Sequence, residues 1–177
     1  MGKKKVNPRR IPMQKTSIDS RQIIKDSLQS SMAHAWYLVV SALLETELAN
    51  PEEIVTLYSE VSQFTWTAKP DIFMLDRAER LMGKERPAAL DASHINSEYE
   101  LNKYKKNVEK MSLHTSLCVI CLGLEKRFSS DELRRLFFVE DLTEAEIHSG
   151  RLDYKELELQ LQSKNIRIGL DPEAPLS

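Results

Sequence analysis

The chain is poor in the residues that tight turns and covalent cross-links require. Its two cysteines, Cys118 and Cys121, are too few and too close together to make a disulfide framework. Five glycines and seven prolines are few for an all-β protein, which must turn at every hairpin. The scattered glycines form neither a Gly-x-x-x-x-Gly-Lys loop nor a Gly-x-Gly-x-x-Gly turn, so both phosphate-cradling signatures are missing, as is a Gly-x-Ser-x-Gly nucleophile elbow. No apolar run approaches the roughly 18 to 20 residues that span a bilayer; the run over 35–44 is too short. The N-terminal lysines are not followed by the apolar core of a signal peptide. These absences predict a cytoplasmic protein that is not an enzyme, uses no cofactor and has no membrane partner.

What is present favours helix. Hydrophobic residues make up 41% of the chain, enough for a core, and Leu, Glu, Lys, Ala and Ser recur throughout. Ser17 or Asp19 is placed to cap a long first helix in which Ile24, Leu28, Met32, Ala35, Val39 and Ala42 recur at three- and four-residue spacing. From Trp36 to Leu44 nearly every side is apolar, the pattern of a helix wrapped by others. Pro51 predicts that this helix stops at Ala49 and that Asn50-Pro51-Glu52-Glu53 starts the next, with a cap, a first-turn proline and two acids at the positive end of the dipole. A third helix is expected from Pro70-Asp71 to Gly83 and a long fourth from about Ser97 to Arg127. Capping patterns predict further starts at Ser129, Thr143 and Asp153. Ile166-Arg167-Ile168 reads as a short extended tail.

The two halves share a pattern. At an offset near eighty residues, His34 falls on His114, Leu44-Glu45 on Leu124-Glu125, and, after a one-residue slip, Glu52-Glu53-Ile54 on Asp131-Glu132-Leu133. A unit that recurs with its apolar positions kept and its polar surface changed reads as a duplicated packing module. The expected fold is therefore all-α, with two similar helical units, a tandem duplication, packed as a helical bundle. Residues 1–16 form a basic flexible arm, 17–83 the first unit, 84–97 a linker, 98–170 the second unit and 171–177 a frayed tail.

Net charge is only −2, but it is distributed unevenly. Eight basic residues stand against Asp19 and Asp26 through residue 27, giving +6 there and −8 elsewhere. Lys3, Lys4, Lys5, Arg9, Arg10 and Lys15 are the candidate contacts for an anionic partner, either an acidic protein face or nucleic acid. The arm lacks aromatic residues for base stacking. Its bland alternative is a solvated, solubilising tail, which would move attention to the surface around Trp66 and the acidic stretch over 140–158.

Three residues attract a metal reading. His114, Cys118 and Cys121, at spacings of four and three, share a helix face and carry zinc-type donors. A closed site needs a fourth ligand from elsewhere, and their counterparts in the first half, Leu38 and Ser41, cannot bind zinc. The expectation is accordingly no metal, with both cysteines as small core hydrophobes. An apolar helical setting also rules against a Cys-x-x-Cys redox centre, which needs an exposed thiol at a helix N-terminus. The pairs Glu52/Glu53, Asp131/Glu132 and Glu140/Asp141 are mostly explained by capping. The repeated His34 and His114 could face each other across a pseudo-twofold interface, but such histidines are more often ordinary core or boundary residues.

Asn7-Pro8-Arg9-Arg10-Ile11-Pro12, followed by an amphipathic helix, a Trp-containing apolar segment and an acid-started helix, resembles a group of small uncharacterised proteins of phages and prophages of Gram-positive bacteria. The resemblance covers roughly residues 6–83 and implies a mobile-element origin and a bacterial host's cytoplasm. Members of that group are single units, so the second half departs from the pattern. The combined expectation is a non-enzymatic accessory protein that binds a host or phage protein. The alternative is nucleic-acid binding through the arm, with self-association open in either case.

Overall fold

The computed structural model describes residues 20–89, 95 and 97–168, with the side chains of Ser20, Trp66 and Thr67 excepted. The candidate arm residues Lys3, Lys4, Lys5, Arg9, Arg10 and Lys15 lie outside the described residues, as does the side chain of Trp66. The fold is all-α: α1 (Ser20–Glu45), α2 (Pro51–Thr67), α3 (Ile72–Met82), α4 (Glu98–Leu124), α5 (Ser130–His148) and α6 (Tyr154–Ser163).

Local sequence sets the helix starts. Asn50 Oδ1 accepts from the backbone of Glu52 and Glu53, and the Glu53 carboxylate accepts from Asn50 N at 2.8 Å, closing a capping box ahead of α2. Ser129 with Glu132 and Asp153 with Glu156 repeat this device at α5 and α6. Asp71 and Ser97 cap α3 and α4 with a single side-chain bond each. Thr143 starts no helix. Nothing breaks the chain there, and its hydroxyl donates back to the Val139 carbonyl at 3.3 Å, so α5 runs through to His148.

The helix ends share a different device. Glu47, Gly83, Gly150 and Asn165 have φ of 56°, 73°, 72° and 61°, the left-handed region. In each case the next amide reaches back to a carbonyl five residues earlier: Leu48 to Leu43, Lys84 to Glu79, Arg151 to Glu146 and Ile166 to Leu161. At α1 the position is held by glutamate instead of glycine, and the helix ends at Glu45, before the stop at Ala49 that Pro51 predicts.

α1 and α4 pack on each other at the centre of the bundle. α5 and α6 pack on α1, while α2 and α3 pack on α4, so the shorter helices lie against the long helix of the opposite half; α3 also touches α5. One core cluster draws on both halves. Every side chain from Ala35 to Leu43 is buried, which is how a helix apolar on all sides is satisfied in water. Trp36 sets its ring edge-on to Tyr58 at 4.9 Å. Where α2 crosses α4, Gly123 leaves room for Val61; a Cβ there would collide with the valine Cγ1. Ile166, past the end of α6, is buried in the same core, and no strand occurs among the described residues.

Candidate functional site

A strongly charged interior lies where the end of α3 meets α4 and α5. Gly83 turns the chain out of α3, and the two following basic residues diverge. Lys84 Nζ pairs with the Glu140 carboxylate and lies 2.7 Å from Asp141 and 3.8 Å from Glu144. These acids come from α5 at spacings of one and four residues. Glu140 has no exposed surface, and among the described residues its Oε1 has no hydrogen-bond partner. Burial pushes the Glu140 carboxyl up to about 7, against the opposing attraction of Lys84. Burial alone would lower the Lys84 ammonium, but Glu140 and Asp141 hold it above its ordinary value.

Arg86 turns back over α3. Its Nε donates to Glu79 Oε1 at 2.8 Å, and its Nη2 donates to Glu79 Oε2 at 3.0 Å and to Asp76 at 2.7 Å. On the other side of Glu79, His114 Nε2 of α4 lies 2.9 Å from Oε1. Burial works to raise the Glu79 carboxyl, but the hydrogen bonds and charges of Arg86 and His114 hold it below the usual range. One turn beyond His114, Cys118 completes a group: single donor atoms of Glu79, His114 and Cys118 all lie within 4.8 Å of one another.

Of the three metal candidates in the sequence, His114 and Cys118 are thus brought together, and Cys121 is not in the group. The helical rise of 1.5 Å per residue carries Cys121 about 10 Å along the axis from His114, farther than one ion bridges. Glu79, from a separate helix, takes its place. Both thiols are fully buried, and desolvation pushes each up to about 12.

Beside these groups opens a cleft of about 550 Å³ whose walls include Lys84, Lys110, His114, Asp141, Glu144 and His148. His34, the residue aligned with His114, goes elsewhere: it stacks on Tyr154 of α6 with ring centroids 3.8 Å apart, and burial lowers its pKa. The two histidines therefore engage different partners. Glu79, Lys84 and Arg86 carry no sequence motif. Glu140 does carry a signal, because it continues the buried series Leu133, Leu136, Phe137 and Thr143 at three- and four-residue spacing. An acid on that stripe must find a cation inside. Compared with family models, with curated proteins and with solved structures, the chain matches none.

Proposed function

We propose that this chain is a non-enzymatic accessory protein, of phage or prophage origin, that binds another protein through the outer face of α5. The observation that carries this reading is a pair of large apolar side chains, Phe138 and Leu142, four residues apart and 63% and 54% exposed. Exposed Ala145 extends the same stripe, and Arg134, Arg135, Asp141 and Glu146 flank it with charges of both signs. An apolar centre with a charged rim is the anatomy of a protein interface, and burying two such anchors is worth about 1.5 to 3 kcal/mol each. Lys84 with Glu140 and Asp141, and Arg86 with Glu79, are spent on one another as ion pairs, which favours binding over catalysis.

The test is affinity capture from host lysate, with the captured protein then purified and titrated. The Phe138→Ser, Leu142→Ser double variant should keep its thermal midpoint and lose at least tenfold in affinity. Equal affinity in the variant would remove α5 as the interface. Concentration-dependent self-association abolished by the same variant would identify a second copy as the partner.

The charge asymmetry supports a second reading, nucleic-acid binding through the N-terminal arm. In that case Arg9→Ala with Arg10→Ala should weaken binding to all sequences alike and flatten its salt dependence by about two units of slope. Unaltered duplex binding after removal of residues 1–15 would dismiss it.

The same proposal takes the two halves as copies of one unit. In support, each half runs long, medium and short: helices of 26, 17 and 11 residues, then 27, 19 and 10. A capping box starts the second helix of each, and the cross-packing onto α1 and α4 is reciprocal. His34 and His114 each point from a long helix to the short helix of the other half. An experimental structure in which residues 20–82 and 98–163 fail to overlay in helix order would end this idea.

A further inference from the structure

We propose that Glu79, His114 and Cys118 form a binding site for one zinc ion, entered from the cleft between α4, α5 and the segment that follows α3. Two of the three donors are set by covalent spacing: His114 and Cys118 are four residues apart on α4, so their side chains lie one above the other on the same face. The third comes from α3, which packs on α4, and all three donor atoms are already within 4.8 Å of one another. In a tetrahedral zinc site with bonds of about 2.0 to 2.3 Å, donor atoms stand about 3.3 to 3.8 Å apart. The 2.9 Å gap between His114 Nε2 and Glu79 Oε1 must therefore open by a few tenths of an ångström, and the others close by about 1 Å at most. Side-chain torsions supply movements of that size without shifting a helix.

The surroundings suit a metal. Arg86 grips both oxygens of Glu79 and is itself held by Asp76, which fixes the carboxylate while leaving it lone pairs for an ion. His114 lines the cleft, so a fourth position is open to water or a ligand from that side. A sulfur, an imidazole nitrogen and one carboxylate oxygen select zinc over magnesium or calcium, which demand oxygen donors. On entry the ion displaces two protons, the thiol proton of Cys118 and the Nε2 proton that His114 gives to Glu79; the imidazole holds its one proton on Nδ1 instead, and the thiol proton leaves through the cleft. The two negative charges of Glu79 and Cys118 then balance the ion. The neighbouring group of Glu140, Asp141 and Glu144 also has its donor atoms within 4.8 Å of one another, but the ammonium of Lys84 already fills it, so no ion is assigned there.

The experiment is a titration of the metal-stripped full-length protein with cobalt(II), followed by zinc. One equivalent of cobalt should give a thiolate-to-cobalt charge-transfer band in the near ultraviolet, and one equivalent of zinc should bleach it. Cys118→Ser should abolish the band, Cys121→Ser should keep it, and Glu79→Gln should retain it with at least tenfold weaker cobalt binding. Absence of the band in the unmodified protein, or its loss in Cys121→Ser with retention in Cys118→Ser, would overturn the assignment. Should Cys118→Ser fail to fold, Glu79→Gln decides: an affinity equal to that of the unmodified protein would overturn the site as well.

Discussion

Replacing Glu140 with Gln should change how stability depends on pH. The unfolded carboxyl titrates at its ordinary 4.5, while burial in the bundle raises it to about 7. Between those values the native state holds a proton that the unfolded state has lost, so the stabilising contribution is complete below 4.5 and is lost as pH rises through 7. At 1.36 kcal/mol per pKa unit the full loss is about 3 kcal/mol, and most of it falls between about pH 5 and 8. The groups facing Glu140 are Lys84, Asp141 and Glu144, together with Tyr154, whose phenol is raised by burial and then by Glu144 and Glu140. His34, behind Tyr154, is lowered and contributes a slope of opposite sign below about 6.5, but it does so equally in both proteins. Glutamine keeps the volume, and Lys84 keeps Asp141 at 2.7 Å and Glu144 at 3.8 Å, so no buried ammonium is stranded. Urea unfolding at pH 5, 6, 7 and 8 measures the effect. The unmodified protein should lose about 2 to 3 kcal/mol across that range relative to Glu140→Gln. Parallel pH profiles would refute the reasoning, because they would mean that Glu140 is as well solvated in the fold as outside it.

Three further outcomes follow from packing and backbone geometry. Gly123→Ala, which would gain about 1 kcal/mol in an open helix, should instead lose about 1 kcal/mol net through the collision with Val61, and Val61→Ala in the same chain should recover stability; this is read by urea unfolding. Glu47→Gly should raise the thermal midpoint by about 2 °C, since a left-handed glutamate costs about 1 kcal/mol that glycine does not; a lower midpoint would mean that the glutamate side chain contributes more than its backbone costs. At pH 8, thiols raised to about 12 are ionised about one part in ten thousand, so Cys118 and Cys121 should react with a disulfide reagent about a thousandfold more slowly in native than in unfolded protein. Labelling at equal rates would show that the α4 core opens readily.

Wherever a boundary is made by neighbours in the chain, it is legible without coordinates. Asn50 with Glu53, Ser129 with Glu132, Asp71 and Gly83 mark helix ends through bonds that close within a few residues. The burial of α1 on every side follows from a run of apolar residues too dense for one face. The reading fails where the same local chemistry has a second outlet. Thr143 looks like a cap, but its hydroxyl is satisfied by Val139 within a continuing helix. The end of α1 carries no glycine, so the left-handed turn at Glu47 has no residue to announce it. The candidate site belongs to a different class of fact. Glu79 meets His114 across 35 positions of chain and Lys84 meets Glu140 across 56, and neither pair has a spacing that sequence periodicity can express. Those meetings exist because α3 packs against α4 and α5, a choice made by the shape of the whole apolar core. Local hydrogen bonding therefore determined which segments are helical, and only tertiary packing decided which charged side chains would share an interior and have to neutralise one another there.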